Sequence, residues 1–130
     1  MIVVDATVLA PALVDDGTDG DLARGRMEGE ELAAPELIDL EVTSVFRRAL
    51  EMGRVDQPRA TQALTDLVDL PLSRSPHLPL VNRIWELRGA LSPYEAAYVA
   101  LAEALDAVLL TADIGLSRAR GLRCHVELLS

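Results

Sequence analysis

Two aspartates stand where short apolar segments end, and carboxylates at strand ends are candidates for acid–base or metal chemistry. Asp5 follows the β-branched run at residues 2–4, and Asp113 follows the apolar run at residues 108–110. Short runs of this kind are typical of buried strands. Each aspartate also has a purely structural interpretation, as the N-cap of the helical segment that begins after it. Taken alone, neither residue decides between a site and a cap.

A third carboxylate, Glu41, lies inside a helix that the sequence predicts over residues 36–52. At about 100° per residue, it shares one helical face with Leu37, Val45 and Met52. A carboxylate on an inward apolar face is unfavourable unless it is paired, hydrogen-bonded or bound to a metal. The structural alternative is a contact with Ser44 or Arg48 on the same helix.

The fourth carboxylate, Glu95, closes the pattern Ser92-Pro93-Tyr94-Glu95. This pattern is a capping box with proline at the first helical position, so Glu95 has a structural role even without a site. A carboxylate held at a helix N-terminus is equally well placed to face a site. Tyr94 and Tyr98 form a helical i,i+4 pair for which packing is the default interpretation, and Tyr94 is also placed to line a site.

The four carboxylates together lie at strand ends or on an inward helix face. Four such groups do not all ionise side by side without help, because like charges raise one another's pKa. Oxygen-only clusters select Mg²⁺ or Mn²⁺, and such ions activate water and hold the oxygens of a phosphodiester during in-line displacement. The sequence therefore indicates a metal-dependent catalytic site for phosphodiester chemistry, formed by Asp5, Glu41, Glu95 and Asp113.

Strands and helices alternate along the chain, and this order determines where the carboxylates would meet. Strands are predicted at residues 2–4, 31–34, 70–73, 107–111 and 123–129, the last at a sheet edge. Helices are predicted at residues 7–14, 21–29, 36–52, 58–69, 78–91 and 92–105, with a turn at 15–20. The alternation favours a three-layer α/β/α domain with a mostly parallel central sheet. Ligand sites of such sheets lie outside the carboxyl ends of the strands.

Length and composition limit the classes of protein to consider. The 130 residues fit one domain over residues 1–130, and a hydrophobic content of 50% excludes a disordered linker. No apolar run reaches ~18 residues and the start lacks a secretory leader, so we expect no membrane span and a cytoplasmic location. The single cysteine, Cys124, excludes an intrachain disulfide and a cysteine-based zinc site.

The charge pattern narrows the function further. All 12 basic residues are arginine, and the net charge is −9. The absence of lysine excludes a P-loop, a haloacid-dehalogenase-type phosphotransferase and a receiver-type phospho-acceptor domain, each of which needs a lysine. An acidic chain binds nucleic acid poorly without a local basic surface. The arginines considered for phosphate contacts are Arg47, Arg48, Arg83 and Arg88, with surface pairing to acids as the default for most of them.

Four segments, in order and at the right spacing, resemble the PIN-domain ribonucleases, and most closely the VapC-type toxins of toxin–antitoxin pairs. These segments are residues 1–7, 35–48, 94–105 and 110–113, so the resemblance covers essentially the whole chain. It implies an acidic site at Asp5, Glu41, Glu95 and Asp113, with Thr7 and Thr111 as nearby hydroxyls. It also implies a parallel sheet flanked by helices, a Mg²⁺-dependent endoribonuclease acting on RNA, a homodimer, and inhibition by a cognate VapB-type antitoxin.

Two positions depart from the family pattern. The third acidic position is usually aspartate, whereas this chain has Glu95, which is longer by one methylene, and Mg²⁺ demands near-ideal geometry. The alternative function is therefore a catalytically weakened PIN-like domain that acts by binding its antitoxin or RNA. At Asp106 the family often has glycine, and a left-handed helix cap is expected there. We also predict an exposed apolar groove near the acidic site, complementary to a basic amphipathic antitoxin segment.

Overall fold

Five short strands form one parallel sheet at the centre of the computed structural model, which describes residues 1–130. The strands are β1 (Ile2–Val4), β2 (Leu32–Pro35), β3 (Leu72–Ser75), β4 (Val108–Thr111) and β5 (Val126–Leu128). Their order in the sheet is β3-β2-β1-β4-β5, and every neighbouring pair is parallel. The predicted parallel sheet, with the last strand at an edge, is therefore confirmed.

Seven helices and one 3-10 turn connect the strands. The helices are α1 (Ala6–Val14), α2 (Thr18–Met27), α3 (Ile38–Glu51), α4 (Gln57–Asp69), α5 (Val81–Glu86), α6 (Pro93–Leu105) and α7 (Ile114–Ser117), and the 3-10 turn is Leu78–Leu80. One helical layer is built around α1, which packs against α2, α3 and α4, while α6 lies along β1, β2 and β4 with α5 packed on it. This arrangement confirms the three-layer α/β/α fold. None of the helices has the length and apolar character that crossing a membrane requires.

The strand order reverses at β1, and this reversal locates the best place for a site. From β1 the chain moves outward to β2 and β3, and then returns to add β4 on the other side of β1. Such a topological switch point leaves a crevice at the carboxyl ends of the two central strands. Val4 is in register with Leu110, so the residues that follow β1 and β4 emerge side by side.

Helix α6 brings its N-terminus to the same edge of the sheet. Its residues 96–102 are all buried, and four of those seven are alanine. Small side chains allow a helix to lie close to a sheet, and the buried apolar surface holds it there. The helix ends at Asp106, whose φ of 50° is left-handed and whose N–H bonds back to the carbonyls of Ala102 and Glu103. The left-handed cap predicted at Asp106 is confirmed.

Several element boundaries differ from the predictions, and three of the differences have a local cause. A turn was predicted at residues 15–20, but the Asp15 side chain accepts from Gly17 N at 2.6 Å and closes that turn early, so α2 begins at Thr18. The predicted strand at 70–73 is shifted to Leu72–Ser75, beyond Pro71, which has no N–H for the ladder. The predicted helix at 78–91 is reduced to a 3-10 turn followed by α5, which ends before Gly89.

Candidate active site

One cavity of about 180 Å³ at the carboxyl edge of the sheet is lined by all four predicted carboxylates. Its lining residues are Asp5, Ala6, Thr7, Glu41, Glu95, Tyr98, Asp113 and Leu116. The carboxylates come from four separate parts of the chain, namely the ends of β1 and β4, helix α3 and the first turn of α6. We refer to this space as the acidic cavity. No basic side chain lines it, so the protein itself does not neutralise the four acids.

Asp5 is the most deeply buried of the four, with only 5% of its surface exposed. Its Oδ1 accepts from the hydroxyl of Thr7 at 2.5 Å and from the Thr7 N–H at 3.1 Å, and its Oδ2 accepts from the hydroxyl of Thr111 at 2.5 Å. Burial raises the pKa of Asp5 above its ordinary value, although the hydrogen bonds from Thr111 and Thr7 act in the opposite direction. The two threonines, named in the sequence analysis as nearby hydroxyls, thus fix the orientation of this carboxylate.

The same threonines connect Asp5 to the loop that carries Asp113. Thr7 accepts a hydrogen bond from the N–H of Ala112 at 2.9 Å, and Thr111 accepts one from the N–H of Asp113 at 3.0 Å. Asp113 is itself the N-cap of α7, since its Oδ1 accepts from the N–H groups of Gly115 and Leu116. Asp5 and Asp113 therefore cap helices and line the acidic cavity at the same time.

Glu41 reaches the cavity from the border of the buried face of α3, and not from within that face. The core side of α3 consists of Ile38, Val42 and Phe46. The predicted inward face shared by Glu41, Val45 and Met52 is wrong, because Val45 and Met52 are 41% and 52% exposed. The helical wheel indicated one apolar stripe of α3, but the buried stripe of this helix, which packs against α1 and α4, is the neighbouring one.

Tyr98 also lines the acidic cavity, although the sequence analysis assigned it to packing by default. Only 3% of it is exposed, and its hydroxyl donates to Glu41 Oε1 at 2.5 Å, so neither Ser44 nor Arg48 is the partner of Glu41. Burial, together with the hydrogen bond to Glu41, raises the pKa of Tyr98, which keeps the phenol protonated as a donor. The available signal was its position three residues after Glu95, on the same side of α6. Tyr94 is 65% exposed and does not line the cavity.

Glu95 has both of the roles that its sequence pattern allowed. Its Oε1 accepts from the N–H of Ser92 at 3.0 Å, and its own N–H donates to the hydroxyl of Ser92 at 3.1 Å. The predicted capping box is therefore present. The half-buried side chain lines the acidic cavity as well.

The donor set of the acidic cavity suits a hard, hydrated cation. Glu41, Glu95 and Asp113 each accept hydrogen bonds through one carboxylate oxygen, and none of the protein's hydrogen bonds uses the other. No three His, Cys, Asp or Glu side chains are gathered closely enough to enclose a metal ion. Mg²⁺ needs no such cage, because it keeps several waters and takes one or two carboxylates. The residues present therefore fit a hydrated Mg²⁺ or Mn²⁺ held partly through its waters.

A larger groove borders the acidic cavity along α1 and α3. Its volume is about 730 Å³, and its lining residues are Pro11, Val14, Asp15, Asp16, Asp19, Val45, Ala49, Arg54, Val55, Asp56 and Arg59. Pro11 lies one turn after Thr7, and Val45 lies one turn after Glu41, so the two spaces share the walls formed by these helices. The groove, called the α1–α3 groove below, combines apolar side chains with four aspartates.

Comparison with known proteins identifies the family. The family model described as the PIN domain matches residues 2–122 of this chain. Ribonuclease VapC9 of Mycobacterium tuberculosis is 41% identical over 126 residues, which cover 97% of this chain and 96% of VapC9. The chain belongs to the PIN-domain family, among the VapC ribonucleases. The resemblance found in the sequence is thereby confirmed.

Solved structures of VapC proteins share the fold. The crystal structure of VapC20 from Mycobacterium tuberculosis, described as a Sarcin-Ricin loop cleaving toxin, superimposes with a TM-score of 0.70 at 14% identity and covers 90% of this chain and 93% of VapC20. VapBC2 from Rickettsia felis, bound to a DNA fragment from their promoter, gives a TM-score of 0.71 at 15% identity and covers 100% of both chains. For a VapC ribonuclease, the acidic cavity at the carboxyl edge is the natural candidate for the active site.

Proposed function

We propose that this protein is the toxin of a type II toxin–antitoxin pair and acts as a metal-dependent endoribonuclease through the acidic cavity. The observation that carries the proposal is that Asp5, Glu41, Glu95 and Asp113 line one cavity at the switch point of the sheet, with no basic side chain among them. An uncompensated group of carboxylates is the typical surrounding of a divalent cation in enzymes that hydrolyse phosphodiesters.

The four carboxylates would hold Mg²⁺ or Mn²⁺, and the bound ion would supply an activated water and positive charge for the phosphodiester oxygens. The chain's own hydrogen bonds prepare the site for this. Thr7 and Thr111 fix the carboxylate of Asp5, and Tyr98 fixes that of Glu41. The second oxygens of Glu41, Glu95 and Asp113 are available to take up the proton that an attacking water loses.

The direct test compares Asp5→Asn with Asp69→Asn on an RNA substrate. Asp69 is an exposed carboxylate at the end of α4, before the amino end of β3, so its substitution removes the same charge outside the cavity. We expect kcat/KM for RNA cleavage to fall roughly 10²-fold or more in Asp5→Asn and to stay unchanged in Asp69→Asn. Equal activity of Asp5→Asn and the wild type would contradict the proposal.

A second candidate function is a catalytically weakened PIN-like domain that binds its antitoxin or RNA. The observation that favours it is the capping bond of Glu95 to Ser92, which occupies one carboxylate oxygen of the residue that replaces the usual aspartate of the family. Under this alternative the fold and the partner remain, whereas cleavage is slow or absent. Substitutions of Glu95 separate the two functions.

The α1–α3 groove is the proposed docking site of the antitoxin, a segment that is amphipathic and basic. Apolar residues such as Val14, Val45 and Val55 would receive its apolar side chains. The four aspartates of the groove outnumber its two arginines, so its net negative charge complements a basic partner. The VapBC2 pair from Rickettsia felis, a structural neighbour, supports a VapB-type partner. Because the groove shares walls with the acidic cavity, an antitoxin bound there would obstruct access of RNA.

A further inference from the structure

Two unpaired arginines line a second groove next to the acidic cavity. This groove has a volume of about 500 Å³ and lies between the chain that follows α5 and the chain that follows α7. Its lining residues are Arg83, Glu86, Leu87, Gly89, Ala90, Arg118, Ala119, Arg120 and Gly121. We call it the arginine groove. Its function is not accounted for by the acidic site or by the antitoxin surface.

The charge of this groove is opposite to that of the molecule. Six arginines form salt bridges, namely Arg24, Arg26, Arg47, Arg59, Arg74 and Arg83. Arg118 and Arg120 form none, and their exposed side chains make no hydrogen bond with the protein. Residues 114–126 contain three arginines and no acidic residue, in a chain of net charge −9. Glu86 is the one acidic side chain in the groove, so two free positive charges face one negative charge.

Helix α7 connects the arginine groove to the acidic cavity. Asp113 caps this helix and Leu116 lies within it, and both line the cavity, whereas Arg118 follows its last residue and lines the groove. Four helical residues at a rise of about 1.5 Å separate the two spaces by only ~6 Å along the helix. If the cleaved phosphate of a single-stranded RNA lies at the cavity, the neighbouring phosphates of that RNA would therefore lie near Arg118 and Arg120.

The arginine segment is held in place by a half-buried ion pair. Arg83 donates to both carboxylate oxygens of Glu103, at 2.7 and 3.1 Å, and also to the carbonyl of Gly121 at 2.7 Å. Glu103 in turn accepts from the N–H of Arg123 at 2.7 Å. Although burial acts to raise the pKa of Glu103, these bonds with Arg83 and Arg123 lower it, so the pair stays charged. The side chain of Arg83 is therefore occupied by these contacts, and it holds the segment after α7 in position.

The walls of the groove allow a backbone to approach closely. Gly89 and Ala90 stand on one side, and Ala119 and Gly121 stand on the other. A Cβ added at Gly89 would meet no atom within 4 Å, so this position is open space in the folded protein. A larger side chain there would narrow the groove and would leave the core untouched.

We propose that Arg118 and Arg120 bind phosphates of the RNA strand that flank the bond cleaved in the acidic cavity. The inference rests on the proposed ribonuclease function and adds the surface that holds the substrate. It replaces the arginines suggested by the sequence, since Arg47 and Arg83 are bound to acids and Arg88 lies over the Trp85 ring at 4.5 Å. Arg48, the fourth of that set, is exposed on α3 and forms no salt bridge.

The test is steady-state cleavage of a fluorescent single-stranded RNA at several salt concentrations. The Arg118→Gln/Arg120→Gln double variant should raise KM roughly ten-fold, leave kcat nearly unchanged, and reduce the slope of log(1/KM) against log[salt] by about 1.4, because two phosphate contacts to a single strand are lost. The matched control is Arg47→Gln/Arg48→Gln, which removes two exposed positive charges of α3 that line neither groove. It should leave KM within two-fold of wild type, a margin of about 0.4 kcal/mol.

A steric variant tests the same surface without changing charge. Gly89→Leu should raise KM in the same way as the arginine double variant, with an unchanged melting temperature showing that the fold is intact. Equal KM values for the two arginine double variants would overturn the proposal, and so would a wild-type KM in Gly89→Leu. If these variants cleave like an active wild type, the groove fails while the ribonuclease function stands. If the wild type neither binds nor cleaves RNA, the proposed function fails and the groove fails with it.

Discussion

Three of the four carboxylates of the acidic cavity cap helices as well as lining the cavity. Asp5 caps α1, Asp113 caps α7, and Glu95 completes the capping box of α6. In a parallel α/β sheet, helices begin at the edge where strands end, so an N-cap carboxylate is delivered to the same edge as a ligand site. The structural and functional interpretations of these residues are therefore compatible, and each carboxylate needs a test that separates its two roles.

For Asp5 the separating measurement is the pH dependence of stability. Burial raises its pKa above the ordinary value of 3.8, so the folded state holds the proton more tightly than the unfolded chain, and the charged carboxylate destabilises the fold at neutral pH. Asp5→Asn should therefore raise the melting temperature of the metal-free protein at neutral pH. The gain should disappear as the pH falls below 3.8, where Asp5 is protonated in both states. A lower melting temperature for Asp5→Asn at neutral pH would show that its hydrogen bonds outweigh the buried charge.

For Glu95 the separating comparison is between Gln and Asp. Glu95→Gln can keep the capping bond to Ser92 but loses the charge, so we expect RNA cleavage to fall while the melting temperature changes little. Glu95→Asp keeps the charge and should preserve or raise cleavage, at a stability cost of up to ~1 kcal/mol from the weakened capping box. If Glu95→Gln cleaved RNA at the wild-type rate, the only role of Glu95 would be in the capping box of α6. An inactive wild type that gains cleavage as Glu95→Asp would favour the weakened-domain alternative.

At the scale of elements, local signals predicted most of the fold. The β-branched residues at the start of the chain predicted β1. The pattern from Ser92 to Glu95 predicted the start of α6, and Asp106 predicted its end. These predictions succeeded because caps and short apolar runs are encoded within a few residues. The buried face of α3 was not predicted correctly, since two apolar stripes lie side by side on that helix and only packing selects between them. The contact between Glu41 and Tyr98 joins residues 57 positions apart, and no local pattern specifies it.

The same helix α3 provides a test of antitoxin docking. Val45 lies in the α1–α3 groove, whereas Val68 is a 72% exposed valine on α4 that does not line it. Val45→Asp should weaken binding of the proposed VapB-type antitoxin at least ~10-fold, or ~1.4 kcal/mol, because it places a charge in the apolar part of the groove. Val68→Asp is the control and should bind normally. Titration calorimetry with both variants decides, and equal affinities would place the antitoxin elsewhere.

At the scale of the whole molecule, charge is distributed unevenly over one sheet edge. The acidic cavity lies at its centre, the α1–α3 groove with its aspartates lies on one side, and the arginine groove begins beyond α7. An overall charge of −9 is then compatible with an RNA substrate. RNA binding requires a local basic surface and a bound cation, and it does not require that the whole protein be basic.

The homodimer that the family resemblance implies is a further prediction at this scale. Three exposed apolar residues recur at helical spacing along the 3-10 turn and α5. They are Leu78, Val81 and Trp85, which are 77%, 43% and 65% exposed. We expect the protein to sediment with twice the monomer mass, and Trp85→Glu to shift it toward the monomer, because burying a charge in an apolar contact is unfavourable. A protein that stays monomeric at high concentration would exclude the dimer.

The most direct test of the central proposal is the metal dependence of RNA cleavage by the wild-type protein. Cleavage of a defined RNA is followed after EDTA treatment and then during titration with Mg²⁺. We predict no cleavage in EDTA, recovery that saturates with Mg²⁺, and no recovery in Asp5→Asn at the same concentrations, because the carboxylates of the acidic cavity hold the ion. Cleavage by the wild type that persists undiminished in EDTA would contradict a metal-dependent site in the acidic cavity.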